Sequence, residues 1–238
     1  MKKKLNSAFS AIRNDRLLPK KFFFCTLGVV IMGFAVPAMV YSGLGADPCS
    51  CINLAIAQKT GLAFWQWSAI INSALFLFPL FLDRSLIGYG TIANMYLISI
   101  IADALRASFY RTFLPAQPSC MWVRIIFMAV GITMMGIGCA FYTVAGMGVA
   151  PYDSIPIIVS ERSHINFRWV RMAYDSLFVV LSFVLGGAVG ISTVLTAFFL
   201  GPVIQAVGSR IKAKYLTPSG KSPSRNNIKQ LLNKKSRR

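Results

Sequence analysis

The positions of the charged residues constrain this chain more than any other feature. Of 25 Lys and Arg, 7 fall in residues 1–21 and 10 in residues 209–238, which leaves 8 for everything between. A soluble domain needs about a quarter of its residues charged to cover its surface. Here 13% are charged and 55% are apolar, so residues 22–208 form an apolar body broken by short polar turns. Lipid is the solvent that suits it. The run from Phe22 to Tyr41 is about 20 residues, enough to span a bilayer of about 30 Å. No small-residue cleavage site follows it as in a signal peptide, and it is expected to stay as the first span.

The +18 net charge suits nucleic acid in principle, because basic patches neutralise phosphates. The basic residues flank the apolar body, however, which argues against that partner. They are expected to hold both termini in the cytosol by the positive-inside rule and to attract anionic lipid head groups. The five Cys (25, 49, 51, 120, 139) and the single His164 lack zinc-ligand spacing. No metal, cofactor or catalytic residue is expected. GxxxxGK[ST], HExxH, GxSxG and CxxC are all missing, and the chain reads as a non-enzyme. Trp65, Trp67, Trp122 and Trp169 fall at helix ends, where Trp commonly anchors to the membrane interface.

Displacing the sequence by 103 residues lays one half on the other. Phe24, Gly28, Met32, Gly33, Gly43, Gly45, Pro48, Ile52, Phe64 and Ser73 then meet identical residues, and GLGADP (43–48) meets GMGVAP (146–151). Gly88 and Thr91 meet Gly190 and Thr193 one residue out of step. Such periodicity marks an internal repeat. Each unit reads as a long helix (22–41, 125–144), a Gly-x-Gly-x-x-Pro turn, a short helix (48–60, 151–163) and two further helices (about 65–82 and 91–106; 170–186 and 191–208). The expected fold is an all-α polytopic transmembrane helical bundle of two similar four-helix units. Its segments are a basic tail 1–21, a first repeat 22–106, a connecting loop 107–124, a second repeat 125–208 and a basic tail 209–238.

Thirteen residues rise only about 20 Å, so length favours short helices that enter the membrane and turn back. Charge favours the opposite. If the short helices cross, seven of the eight internal basic residues lie inside with the tails. If they do not, the eight split evenly. The expectation is therefore eight crossings in two parallel units, with six spans, two re-entrant segments and an inverted repeat as the alternative.

The acids supply the candidate site. Asp47 lies in the first Gly-rich turn and Asp153 just beyond the Pro of the second, each at a short-helix N-terminus. There a carboxylate caps free N–H groups and complements the helix dipole, or lines a polar cavity between the repeats. Asp175 falls inside an apolar run, where a carboxylate is costly unless paired or facing water. Its equivalent in the first half is Asn72, and Arg171 one turn earlier offers a local ion pair. Asp103 and Arg106 form a similar pair. Asn94 matches Thr196, and Thr91 matches Thr193. Asp47, Asp153, Asp175, Asn72, Asn94, Thr91 and Thr193 are the candidate solute-binding residues. For the polar ones, helix packing is the competing explanation.

GLGADP (Gly43 to Pro48), Thr60-Gly61 and GYGTIAN (Gly88 to Asn94) resemble the bacterial YczE/YyaS/YitT membrane protein family. GMGVAPYD (Gly146 to Asp153), GIST (Gly190 to Thr193) and Gly201-Pro202 carry the resemblance again. Cys49 and Tyr152 depart from the pattern, and Ser163-His164 replaces the second Thr-Gly. The resemblance implies a protein of the bacterial cytoplasmic (inner) membrane and no established reaction. A transporter for a small polar solute is expected; a non-transporting accessory protein that serves another complex is the alternative.

Overall fold

A computed structural model describes residues 17–114, 118–211 and 213. Most of both basic tails, and so their expected role with lipid head groups, lies outside these residues. Within them the chain forms eight helices: α1 Leu18–Ser42, α2 Pro48–Thr60, α3 Phe64–Leu82, α4 Tyr89–Leu105, α5 Met121–Ala145, α6 Pro151–Ser163, α7 Phe167–Val184 and α8 Ile191–Ile211. The result is the expected all-α helical bundle, and the two short helices have the expected bounds. Helices α1, α3, α5 and the segment Tyr89–Phe113 are long and apolar enough to cross a membrane. Phe81, Phe183 and Val184 are 77%, 72% and 72% exposed, a surface that lipid covers and water does not favour.

The segment expected as a loop from 107 is helical at first. α4 continues through a wider turn, Arg106–Tyr110, into Arg111–Phe113. Nothing in Arg106–Phe113 breaks a helix, and the first proline after it is Pro115. Leu114 is extended, with φ −119° and ψ 148°, as steric conflict with a following proline requires. α5 then starts at Met121.

The directions of α1 and α5 decide the topology. Arg124, at the start of α5, donates to Ser42 O and Gly43 O at the end of α1, both at 2.8 Å. Further along, Gly131 packs on Met39, Gly138 on Gly28, and Phe24 stacks on Phe141 at 5.3 Å. The two helices run antiparallel, so the two units are inverted relative to each other. α2 ends where α1 ends: Val40 and Tyr41 share one cavity with Ala57, Gln58 and Gly61. α6 ends at the opposite end of the bundle, where Arg162 donates to Leu82 O at 3.4 Å. Each short helix thus starts inside the bundle and returns to the end from which the chain entered. The two units are therefore not parallel as expected; the fold fits the inverted alternative, in which the short helices turn back, and four of its segments are long and apolar enough to cross a membrane. Counting basic residues misled because the tails alone carry the charge asymmetry.

The elbows that make this possible sit on the opposite unit. Gly45 and Gly148 adopt φ 97° and 110°, a region that L side chains rarely enter. Leu44 O accepts from the N–H and the hydroxyl of Ser192, both at 3.0 Å, and Met147 O accepts from Gly90 N at 2.8 Å. A Cβ on Gly45 would lie 2.5 Å from Thr193 Oγ1; one on Gly148 would lie 2.6 Å from Thr91 Oγ1. Each elbow therefore rests on the start of the other unit's fourth helix.

Candidate functional site

The N-termini of α2 and α6 approach each other from opposite ends of the bundle. Pro48 and Pro151 occupy the first turns, where a missing N–H costs nothing. The two acids beside them behave differently. Asp47 caps α2, its Oδ2 accepting from Ser50 N at 3.0 Å. Asp153 makes no cap; α6 is preceded by Ala150, with no side-chain cap. Its carboxylate turns instead to Arg171 on α7, with Nη1 to Oδ1 at 2.5 Å.

Arg171 serves two carboxylates at once. Its Nε donates to Asp175 Oδ2 at 2.9 Å, the expected contact one turn along α7. Asp175 is 3% exposed, and its second oxygen accepts from the Tyr152 hydroxyl at 2.6 Å. Both oxygens of this buried acid are thereby occupied, as burial of a charge requires. The Arg171 guanidinium also lies over the Tyr152 ring, 5.2 Å from its centre. Tyr152, Tyr174 and Phe178 form a three-ring cluster with centroids 4.8 to 4.9 Å apart. Cys49, at the start of α2, packs with Ile52 against Tyr152 and Phe178, which brings the start of α2 to this cluster.

Of the seven candidate residues, Asp153 and Asp175 share Arg171, and Asp47 caps the neighbouring α2. The other four do not join them. Asn72 is buried on α3 and donates to Ser68 O at 2.9 Å and Ser68 Oγ at 3.2 Å. Thr91 caps α4, accepting from Gly88 N at 3.0 Å, and Thr193 caps α8, accepting from Gly190 N at 3.2 Å. Both are fully buried against the elbows. Asn94 is half-buried on α4, one turn beyond Thr91. Asp103 holds α3 to α4, accepting from Trp65 N at 2.8 Å and pairing with Arg106 at 3.7 Å.

Sequence reasoning missed Tyr152, Tyr174 and the second contact of Arg171. One signal was legible: Arg171, Tyr174, Asp175 and Phe178 follow the i, i+3, i+4, i+7 spacing of a single helix face. In the displaced alignment Arg171 and Asp175 correspond to Ser68 and Asn72. The first unit therefore holds a neutral hydrogen-bonded pair where the second holds an ion pair.

Residues 19–209 match the model of a family of unknown function, DUF6198. The chain belongs to this family. Bacillus subtilis has a relative named uncharacterized membrane protein YczE, 28% identical over 82% of this chain and 87% of that protein. A Haemophilus influenzae protein, named only as uncharacterized, is 32% identical over 74% of this chain and 77% of its own length. The uncharacterized protein YyaS of Bacillus subtilis is 22% identical over 83% and 96%. The likeness to YczE and YyaS expected from the Gly-Pro turns is borne out. No solved structure matches the chain. A membrane protein is the function class these relatives and the apolar helices support together.

Proposed function

We propose that this is a multi-pass protein of the bacterial cytoplasmic membrane that moves a small polar solute past the junction of α2 and α6. The observation that carries this reading is the meeting of two half-helices, entering from opposite ends, beside the Arg171–Asp153–Asp175 cluster. Broken helices whose N-termini meet near the midplane of an inverted pair of units are how many secondary transporters build a solute site. Paired intramembrane charges are expensive, and they commonly mark the route of a solute or an ion. Both basic tails face the cytosol in this reading, which puts the ends of α3 and α6 on the cytosolic side. A cavity of about 1300 Å³, lined by Pro37, Leu54, Gln58, Asp103, Arg106 and Tyr110, then lies toward the other side, beside the end of α2.

The test is uptake and efflux by membrane vesicles containing the full chain, with a panel of labelled amines, amino acids and carboxylates. At least one solute should move faster than in vesicles lacking the protein. Asp153→Asn and Asp175→Asn should abolish that movement at equal amounts of membrane-inserted protein. Movement unchanged in both variants would take the cluster out of the mechanism and leave the accessory role.

A further inference from the structure

We infer that the junction of α2 and α6 binds a small organic cation with N–H donors, a primary ammonium or a guanidinium. The inference deepens the transporter reading and depends on it for purpose, not for chemistry.

Charge comes first. Among the described residues, Asp153 and Asp175 divide Arg171 between them, and Asp47 caps the neighbouring α2 without an ion pair. The helix N-termini would favour an anion, but the chain's own acids have taken those places. Asp47 Oδ2 holds Ser50 N, and Asp153 lies in the first turn of α6.

Hydrogen bonding points the same way. Asp47 Oδ1 and Asn53 Oδ1 are buried with no partner among the described residues, and so is the Tyr174 hydroxyl. Asn53 is 1% exposed, and its Nδ2 points at Cys49 Sγ, 3.7 Å away, on the face of α2 that reaches the junction. Asn53 Oδ1 can only accept, as can Asp47 Oδ1 while its carboxyl is ionised, and a buried acceptor left alone is costly. The Tyr174 hydroxyl can donate or accept, so a ligand bearing N–H donors would satisfy all three groups. A bound anion would bring more acceptors, whereas an ammonium or guanidinium brings N–H groups and positive charge together.

The lining also shows how it receives such a group. The Arg171 guanidinium, held by two carboxylates and laid on the Tyr152 ring, is itself an organic cation in a carboxylate and aromatic cage. Ring faces attract cations of this kind, and Tyr174 and Phe178 extend the same surface. A metal ion fits less well, since no group of three or more His, Cys, Asp or Glu among the described residues is placed to hold one.

The test follows thermal unfolding of the purified full chain in lipid nanodiscs with agmatine or methylammonium chloride, compared with sodium chloride and sodium succinate at equal ionic strength. At a hundredfold excess over Kd, the organic cations should raise the midpoint by about 5 °C or more. Asp153→Asn and Asn53→Ala should lose most of that shift, and Asp83→Asn, in a distant turn, should keep it. If Asp153→Asn fails to fold, Asn53→Ala carries the comparison, because its side-chain amide donates only to a thiol. A shift with succinate, a shift with sodium alone, or no shift with either amine overturns the inference. Proteoliposomes loaded with the same solutes separate the two readings. Cation binding without transport removes the transporter and leaves the site; succinate transport leaves the transporter and removes the cation.

Discussion

Arg171 joins carboxylates from two helices, and its spacing along α7 accounts for only one of them. Removing the guanidinium leaves Asp153 without its ion-pair partner and Asp175 buried with one oxygen unmatched. Arg171→Ala should therefore cost about 3 kcal/mol, read by thermal unfolding in a mild detergent. Arg171→Lys should recover only part, since an ammonium lacks the planar fork that meets two acids. His164 is a different case. It follows α6 with φ 57°, where the matching position after α2 is Gly61 at φ 73°. His164 is exposed, so His164→Gly should stabilise the fold by about 1 kcal/mol through backbone relief alone. Asp83 governs the turn before α4. The Ser85 hydroxyl and N–H donate to its Oδ1 at 2.6 and 2.9 Å and, with Arg162 nearby, hold its carboxyl below the usual carboxylate range. A depressed folded pKa means the contribution is present above the unfolded value near 4 and lost as pH falls through the folded one. Asp83→Asn should flatten that acid-side loss in a pH series of unfolding midpoints.

The elbows are the elements that couple the two units. Adding a methyl at Gly45 meets Thr193 Oγ1 at 2.5 Å and Gly190 N at 2.7 Å, on top of the positive φ. Gly45→Ala should destabilise by about 2–4 kcal/mol. Gly61→Ala, where a Cβ meets nothing within 4 Å, should carry only the backbone cost, about 1 kcal/mol. Parallel heat denaturation of the two variants checks the difference. Much of this was legible beforehand. Gly43, Gly45 and Pro48 repeat at Gly146, Gly148 and Pro151, and a proline at a helix start with a glycine turn before it has few other uses. Thr91 and Thr193 accept from the N–H groups at the starts of their own helices; a threonine three residues into a helix looks the same in sequence whether it caps or lines a cavity. For Asp153 the sequence left a cap and a polar site both open, and a partner 18 residues away claimed it.

At the scale of the whole molecule, the inverted arrangement makes a prediction that separates it from eight crossings. Single cysteines at Thr60 and Ser163 should react with an impermeant thiol reagent from opposite sides of the membrane, and cysteines at Ser85 and Ser163 from the same side. Eight crossings require the reverse in both comparisons. What the sequence determined by itself was local. Apolar runs of span length require helices in lipid, the Gly-Pro turns set where the short ones begin, and the displacement of charge to the ends requires a membrane around the middle. The tertiary structure decided the rest: that α5 runs against α1, that the short helices turn back, and that Arg171 reaches across to Asp153. The physical reason is range. Hydropathy and turn chemistry act over a few residues, whereas the direction of one unit against the other and the pairing of its buried charges depend on contacts between segments far apart in the chain.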